Sequence, residues 1–310
     1  MKGSAILVLL KGMAMGAADI IPGISGGTIA FITGIYEELI FSIKSISDIK
    51  VLKLLTSFKI NKFWKSINGN FLALVFGGII ISIFSLSKLI TFLLEKYPMF
   101  VWAFFFGLIL SSVWLILKNT DKPKIIHLFF FLIFTLLAFY ITSLPPINFG
   151  YGLLNTFIAG IIAICAMILP GISGSFILLI LGQYQNILKA VNNFDFFTLF
   201  VFTLGAIIGL IIFSNILAWI LKKYKKITIF SLAGFMTGAL NKLWPWKITI
   251  SHFIDKDGNR HPLLQENLLP TDFLKKTGEQ PEILAVFIFF LLGVIIIVAF
   301  DKLATKKKHI

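Results

Sequence analysis

Asp19, Ser25 and Thr28 stand close together in "DIIPGISGGT", and Ser173 and Ser175 stand in "LPGISGS". The chemistry open to this set is the binding of a small anion. Hydroxyls and bare backbone N–H groups can replace water around a phosphate, and a carboxylate beside them can carry a proton or hold a cation. Pro22 and Pro170 each remove a backbone donor and disfavour continuation of the preceding helix, so each ends one helical arm. Gly23 and Gly171 permit the chain to reverse there. Ser25 and Ser173 then sit as candidate N-caps of the next helical piece. Behind them, Gly26-Gly27-Thr28 and Gly174-Ser175 expose N–H groups with little side-chain shielding. A helix start of this kind carries partial positive charge and favours anions. The alternative is packing alone, because Pro-Gly and small residues also let hairpins turn and lie close.

The acids belong to the first stretch only. Asp19, Glu37 and Glu38 are the carboxylates inside hydrophobic segments, and Met167, Gln185 and Asn186 hold the matching places in the second. Asp19 and Glu37 are candidates for coupling to a proton or a sodium ion. Glu37 and Glu38 have a second reading, at the water interface and paired with Lys44. Lys11 precedes Asp19 by two helical turns, and three roles stay open for it. It neutralises Asp19, attracts the phosphate, or snorkels to the interface. Tyr36 is a candidate donor to the anion or, like Tyr184, an interfacial anchor. No cofactor or metal is expected: Cys165 is the only cysteine, and the four histidines are scattered. No catalytic residue is assigned. A phosphatase would need a nucleophile beside a base with clustered Arg and His. Arg260 is the only arginine.

The elements that must position these residues are membrane spans. The chain of 310 residues is 58% hydrophobic and only 14% charged, too little charge for a soluble domain. Its apolar residues arrive in blocks long enough to cross a bilayer, at roughly 71–94, 99–117, 125–144, 197–221, 227–243 and 283–300. The net charge of +14 reflects lysines in short loops between these blocks, so nucleic acid is not an expected partner. The first residues have the outline of a cleaved leader, but Lys11 interrupts the apolar core and the pattern recurs mid-chain, so no cleavage is expected.

The chain also repeats itself. Gly12 to Tyr36 aligns without gaps on Gly160 to Tyr184, and the similarity resumes with Gly78 on Gly205 and Gly107 on Gly234. Segment 44–68 holds six lysines against one Asp, 118–124 holds three lysines and 222–226 holds four. Placing these in the cytoplasm gives one consistent topology. The expected fold is an all-α polytopic integral membrane protein, a single membrane domain over 1–310. Two inverted repeats, 1–146 and 147–310, each comprise a Pro-Gly-broken re-entrant hairpin plus three transmembrane helices. Whether the hairpin arms re-enter or cross fully stays open. Both termini and the Lys-rich loop 44–68 are then cytoplasmic, and 244–282 is extracytoplasmic. Interrupted segments at matching places of inverted halves point to a secondary transporter with its site near the midplane.

In "ADIIPGISGGTIAFITGIYEELI", "MILPGISGSFILLILGQY" and "GFMTGALNKLWPWK" the chain resembles the bacterial polyprenyl-phosphate (undecaprenyl-phosphate) transporters, long known as a domain of unknown function. The resemblance covers most of the chain. It implies return of the lipid-carrier phosphate from the outer to the inner leaflet of the bacterial plasma membrane, for envelope synthesis. Asp19, Pro22, Gly23, Ser25, Gly26, Gly27, Thr28, Tyr36, Glu37, Pro170, Gly171, Ser173, Gly174 and Ser175 match the family's motifs. One departure stands out: Ser111-Ser112-Val113-Trp114 replaces the family's Gly-Ser-x-Pro. Partners implied are the polyprenyl phosphate and membrane lipids, with a homo-oligomer left open. The rival reading is an inorganic-anion channel or exchanger built on the same paired helix starts.

Overall fold

The computed structural model describes residues 4–120, 123–147, 149–150, 152–254 and 260–306. The basic tail beyond Lys306, residues 121–122 of the second lysine-rich loop and the segment 255–259 lie outside the described residues.

The first half opens with a broken hairpin. Helix α1 (Ala5–Ile20) stops just before Pro22, and α2 (Gly26–Ile32) and α3 (Tyr36–Ile46) form the returning arm. Gly23 takes a φ of +88°, a conformation that only glycine adopts without strain. The returning arm is itself broken, at Gly34, where the second-half counterpart Gly182 does the same. A glycine just past a helix end frees the chain to turn and leaves the apolar run in two short pieces. Two short amphipathic helices follow, α4 (Ile49–Thr56) and α5 (Ile60–Ser66). The Lys-rich segment is thus helical, with Phe58 and Trp64 exposed among its lysines, as in a helix lying on a membrane surface.

Three long helices complete this half: α6 (Gly69–Lys96), α7 (Pro98–Lys118) and α8 (Ile125–Ser143). The second half runs in the same order. It contains α9 (Leu153–Ile168), α10 (Gly174–Ile180), α11 (Tyr184–Asn192), α12 (Phe196–Lys223) and α13 (Lys225–Ala239), the last extended by a 3-10 turn at Leu240–Leu243. Strands β1 (Lys247–Ile254) and β2 (Arg260–Asn267), then α14 (Pro270–Thr277), separate it from the final helix α15 (Ile283–Lys306). Among the described residues, α6, α7, α8, α12 and α15 are long and apolar enough to cross a membrane. The protein is a multi-pass membrane protein, helical except for one antiparallel β-hairpin. The fold is the expected all-α polytopic one, with that hairpin as a small addition. The hairpin lies outside the apolar blocks, where β-branched Ile248, Thr249 and Ile250 favour a strand.

Close packing repeats between the halves. α1 lies along α6 with the backbone at Gly12 against the Val75 carbonyl, and α9 lies along α12 with Gly160 against the Phe202 carbonyl. These are the paired positions of the sequence repeat. The third long helices are exchanged: α15 packs along α7, and α13 packs along α8. Helix α13 is buried on nearly every side, whereas α8 and α15 present bare Phe129, Phe139 and Phe287 outward. At Ser111-Ser112-Val113-Trp114, α7 continues unbroken, and the buried Ser111 and Ser112 hydroxyls donate back to the Gly107 and Leu108 carbonyls.

Candidate functional site

The two hairpin tips meet, and their polar groups bond to one another. The Gly23 N–H donates to Ser173 Oγ at 3.2 Å, and the Gly171 N–H donates to Thr28 Oγ1 at 2.8 Å. Ser25 donates its hydroxyl to the Met167 carbonyl at 2.7 Å while accepting from the Gly27 N–H at 3.0 Å. Tyr36 OH donates to the Ile168 carbonyl at 3.2 Å. Ser25, Thr28, Tyr36 and Ser173 are all buried. Buried polar groups of this kind are costly when unpaired, so the bonds lock the tips together.

The start of α2 already holds an anion, one supplied by the chain. Asp19 Oδ1 accepts the Gly26 N–H at 2.6 Å, and its other oxygen lies against the space a Gly26 side chain would fill. At the far end of α2, Lys11 Nζ donates to the Thr33 carbonyl at 2.6 Å. Helix α1 therefore complements both ends of α2, acid to its N-terminus and base to its C-terminus. Eight residues of helix separate Lys11 from Asp19, about 12 Å, so Lys11 is not a direct partner of Asp19. Glu37 forms an ion pair with Lys225 at 2.8 Å, both half-exposed, and Glu38 accepts from Asn68 Nδ2 at 2.8 Å. Neither acid pairs with Lys44 or joins Asp19.

The second tip is less closed. Gly174 and Ser175 are partly exposed, whereas Gly26 and Gly27 are buried. Ser175 Oγ lies 3.3 Å from Ser173 Oγ, and Met167, at the position of Asp19, packs against Gly174. Pro170 is buried and Pro22 is exposed.

Two cavities adjoin this crossing. One of about 620 Å³ is almost wholly apolar and is lined by Ala17 of α1 and Ile21 just past its end, Leu93 of α6, Phe104 and Phe105 of α7, and Phe289 of α15. Ile21 brings this cavity to the first hairpin tip, while the Asp19 side chain is not part of its wall. The other, about 190 Å³, is polar and includes Ser143, Asn241, Lys242, Lys247 and Asn267 in its wall. The two lysines were not singled out from the sequence. The only signal for them was a pair of cations bracketing "LWPW", which reads as an interfacial belt. The tryptophans are in fact partly buried, and Trp244 and Trp246 donate to the Leu268 and Pro281 carbonyls, pinning the extramembrane segment. No three of His, Cys, Asp and Glu come together as a metal site among the described residues.

Over residues 15–261 the sequence matches the family described as VCA0040-like, undecaprenyl phosphate translocase-like. The chain belongs to this family. A Vibrio cholerae protein named polyprenyl-phosphate transporter is 46% identical over 297 residues, covering 96% of each chain. A Staphylococcus aureus protein of the same name is 32% identical over 256 residues, covering 76% of this chain and 85% of that one. No solved structure matches. In this translocase-like chain, the matched range contains both hairpin tips, Asp19, Lys242 and Lys247, and ends before α15, which closes the apolar cavity.

Proposed function

We propose that the chain carries a polyprenyl phosphate, in the first instance undecaprenyl phosphate, from the outer to the inner leaflet of the bacterial plasma membrane. It does so as a proton-coupled secondary transporter and not as an enzyme. The names of the relatives support the substrate. The observation that carries the mechanism is Asp19, whose carboxylate occupies the Gly26 amide at the hairpin tip; the apolar cavity reaches the same tip through Ile21. A lipid phosphate needs both halves of that arrangement, donors for its head and a dry groove for its tail.

An ionised Asp19 repels an incoming phosphate and holds the donor the phosphate requires. A proton from the acidic outer side neutralises Asp19, frees the Gly26 N–H and lets the head bind near Ser25, Gly27 and Thr28. The hydroxyls and amides that now bridge the tips then exchange partners, from each other to the phosphate. Ser173, Gly174, Ser175 and Tyr36 supply donors from the opposite side of the crossing. Parting of the tips on the cytoplasmic side releases the head, and Asp19 loses its proton inward. Glu37, paired with Lys225, serves as a latch between the first hairpin and α13. Lys11 holds α2 in register and does not touch the head.

The topology follows the lysines. Both termini and α4–α5 face the cytoplasm, the β-hairpin and α14 lie outside, and the halves 1–146 and 147–310 are inverted. At about 24 Å, α1 is shorter than the roughly 30 Å bilayer core, which supports re-entry and not crossing. Equivalent glycine contacts in the two halves support the repeat. The test is reconstitution in vesicles, following a labelled undecaprenyl phosphate between leaflets and chloride and phosphate flux in the same preparation. Lipid movement above the level of empty vesicles, with ion flux at that level, is expected. Ion flux without lipid movement contradicts the proposal.

A further inference from the structure

The polar cavity gathers two lysines and no carboxylate in its wall. Lys242 lies at the crossing itself, its stem against Gly23, where an added side chain would meet Lys242 Cγ at 2.8 Å. Its ammonium sits 4.8 Å from the centre of the Phe176 ring, on the first turn of α10. Lys247 sits 4.0 Å over the ring of Trp102 and donates to the Lys242 carbonyl, which brings the two cations to one wall. None of the lining residues is acidic, and among the described residues neither lysine has a carboxylate partner. Burial pulls the Lys247 ammonium well below its ordinary pKa, and the neighbouring charge of Lys242 adds to this. Two cations gathered without a counter-charge cost stability, a cost that a bound anion would relieve. Asn241, Asn267 and Ser143 add neutral donors; the Asn241 amide reaches Ser143 Oγ at 3.1 Å, and Asn267 reaches Asn241.

We propose that Lys242 and Lys247 form a receiving site for a phosphate monoester on the outer side of the hairpin crossing, from which the head group passes to the tips. Lys247 of the polar wall lies over Trp102 of α7, and Val101 and Phe105 of the same helix line the apolar cavity. The proposal rests on the transporter reading for its substrate, and the shared chemistry is the phosphate group, whether borne by a lipid or free.

The full chain in detergent is titrated with farnesyl phosphate, with farnesol and with inorganic phosphate, and thermal stability is read as each is added. Lys242→Gln and Lys247→Met are compared with wild type and with Lys275→Gln, an exposed lysine on α14. Each cavity variant is expected to bind farnesyl phosphate at least about tenfold more weakly, with farnesol unchanged. Lys247→Met is also expected to melt no lower than wild type without ligand, because it removes a half-buried ammonium that has no carboxylate partner among the described residues. Equal weakening toward inorganic phosphate supports the site and makes the free ion a further occupant. Cavity variants that bind farnesyl phosphate as wild type does overturn the inference and leave the transporter reading standing. Wild type that binds farnesol as tightly as farnesyl phosphate overturns both.

Discussion

Thr28 and Ser173 each hold a backbone N–H of the opposite hairpin, and the pair closes a joint between segments about half the chain apart. Thr28→Val keeps the shape but leaves the buried Gly171 N–H without an acceptor, an expected loss of about 1–3 kcal/mol. Thermal unfolding in detergent reads this as a lowered melting point, and Thr28→Ser should restore most of it. The positions of these residues were legible in the sequence, because Pro-Gly-x-Ser-Gly occurs twice and each part has a backbone reason. Their partners were not. A hydroxyl at a helix start looks the same whether it faces an anion or the other hairpin, and only the tertiary approach decides. The same holds for Glu37, whose partner Lys225 stands 188 residues away, and for Lys242, which reaches the crossing through a 3-10 turn that leaves no periodic trace.

At the scale of elements, the helix seams depend on absent side chains. The backbone of α1 at Gly12 meets the Val75 carbonyl, and at Gly16 an added Cβ would lie 2.6 Å from the Ile79 carbonyl oxygen. Gly16→Val must push α1 off α6 and is expected to cost about 1–3 kcal/mol or more. Size-exclusion profiles and melting of the purified variant read this, and Ile80→Val on the exposed face of α6 should change neither. Long apolar runs placed five of the six expected spans as long apolar helices; the sixth, 227–243, forms the shorter α13 of 15 residues, continued by the 3-10 turn. The second breaks at Gly34 and Gly182 were harder, since a lone glycine in an apolar run is a weak signal. The β-hairpin was hidden for another reason: mixed charge and prolines in 244–282 read equally as cap or linker.

Taken whole, the molecule is two similar halves that exchange their last helices and touch at their hairpin tips. Through the exchange, α15 of the second half packs along α7 of the first, and these two helices also wall the apolar cavity. Sidedness is testable on a Cys165→Ser background. Lys62→Cys on α5 should react with an impermeant maleimide only from the cytoplasmic face, and Lys275→Cys on α14 only from the outside. The reverse pattern would invert the direction of transport. The most direct measurement is leaflet exchange of labelled undecaprenyl phosphate in sealed vesicles under an imposed pH gradient, wild type against Asp19→Asn, with a sodium gradient as control. The expected result is movement toward the alkaline lumen in wild type that ignores sodium, and no response to the gradient in Asp19→Asn. Proton-driven movement of equal rate in both proteins would contradict the role given to Asp19 and the exchange of internal carboxylate for lipid phosphate.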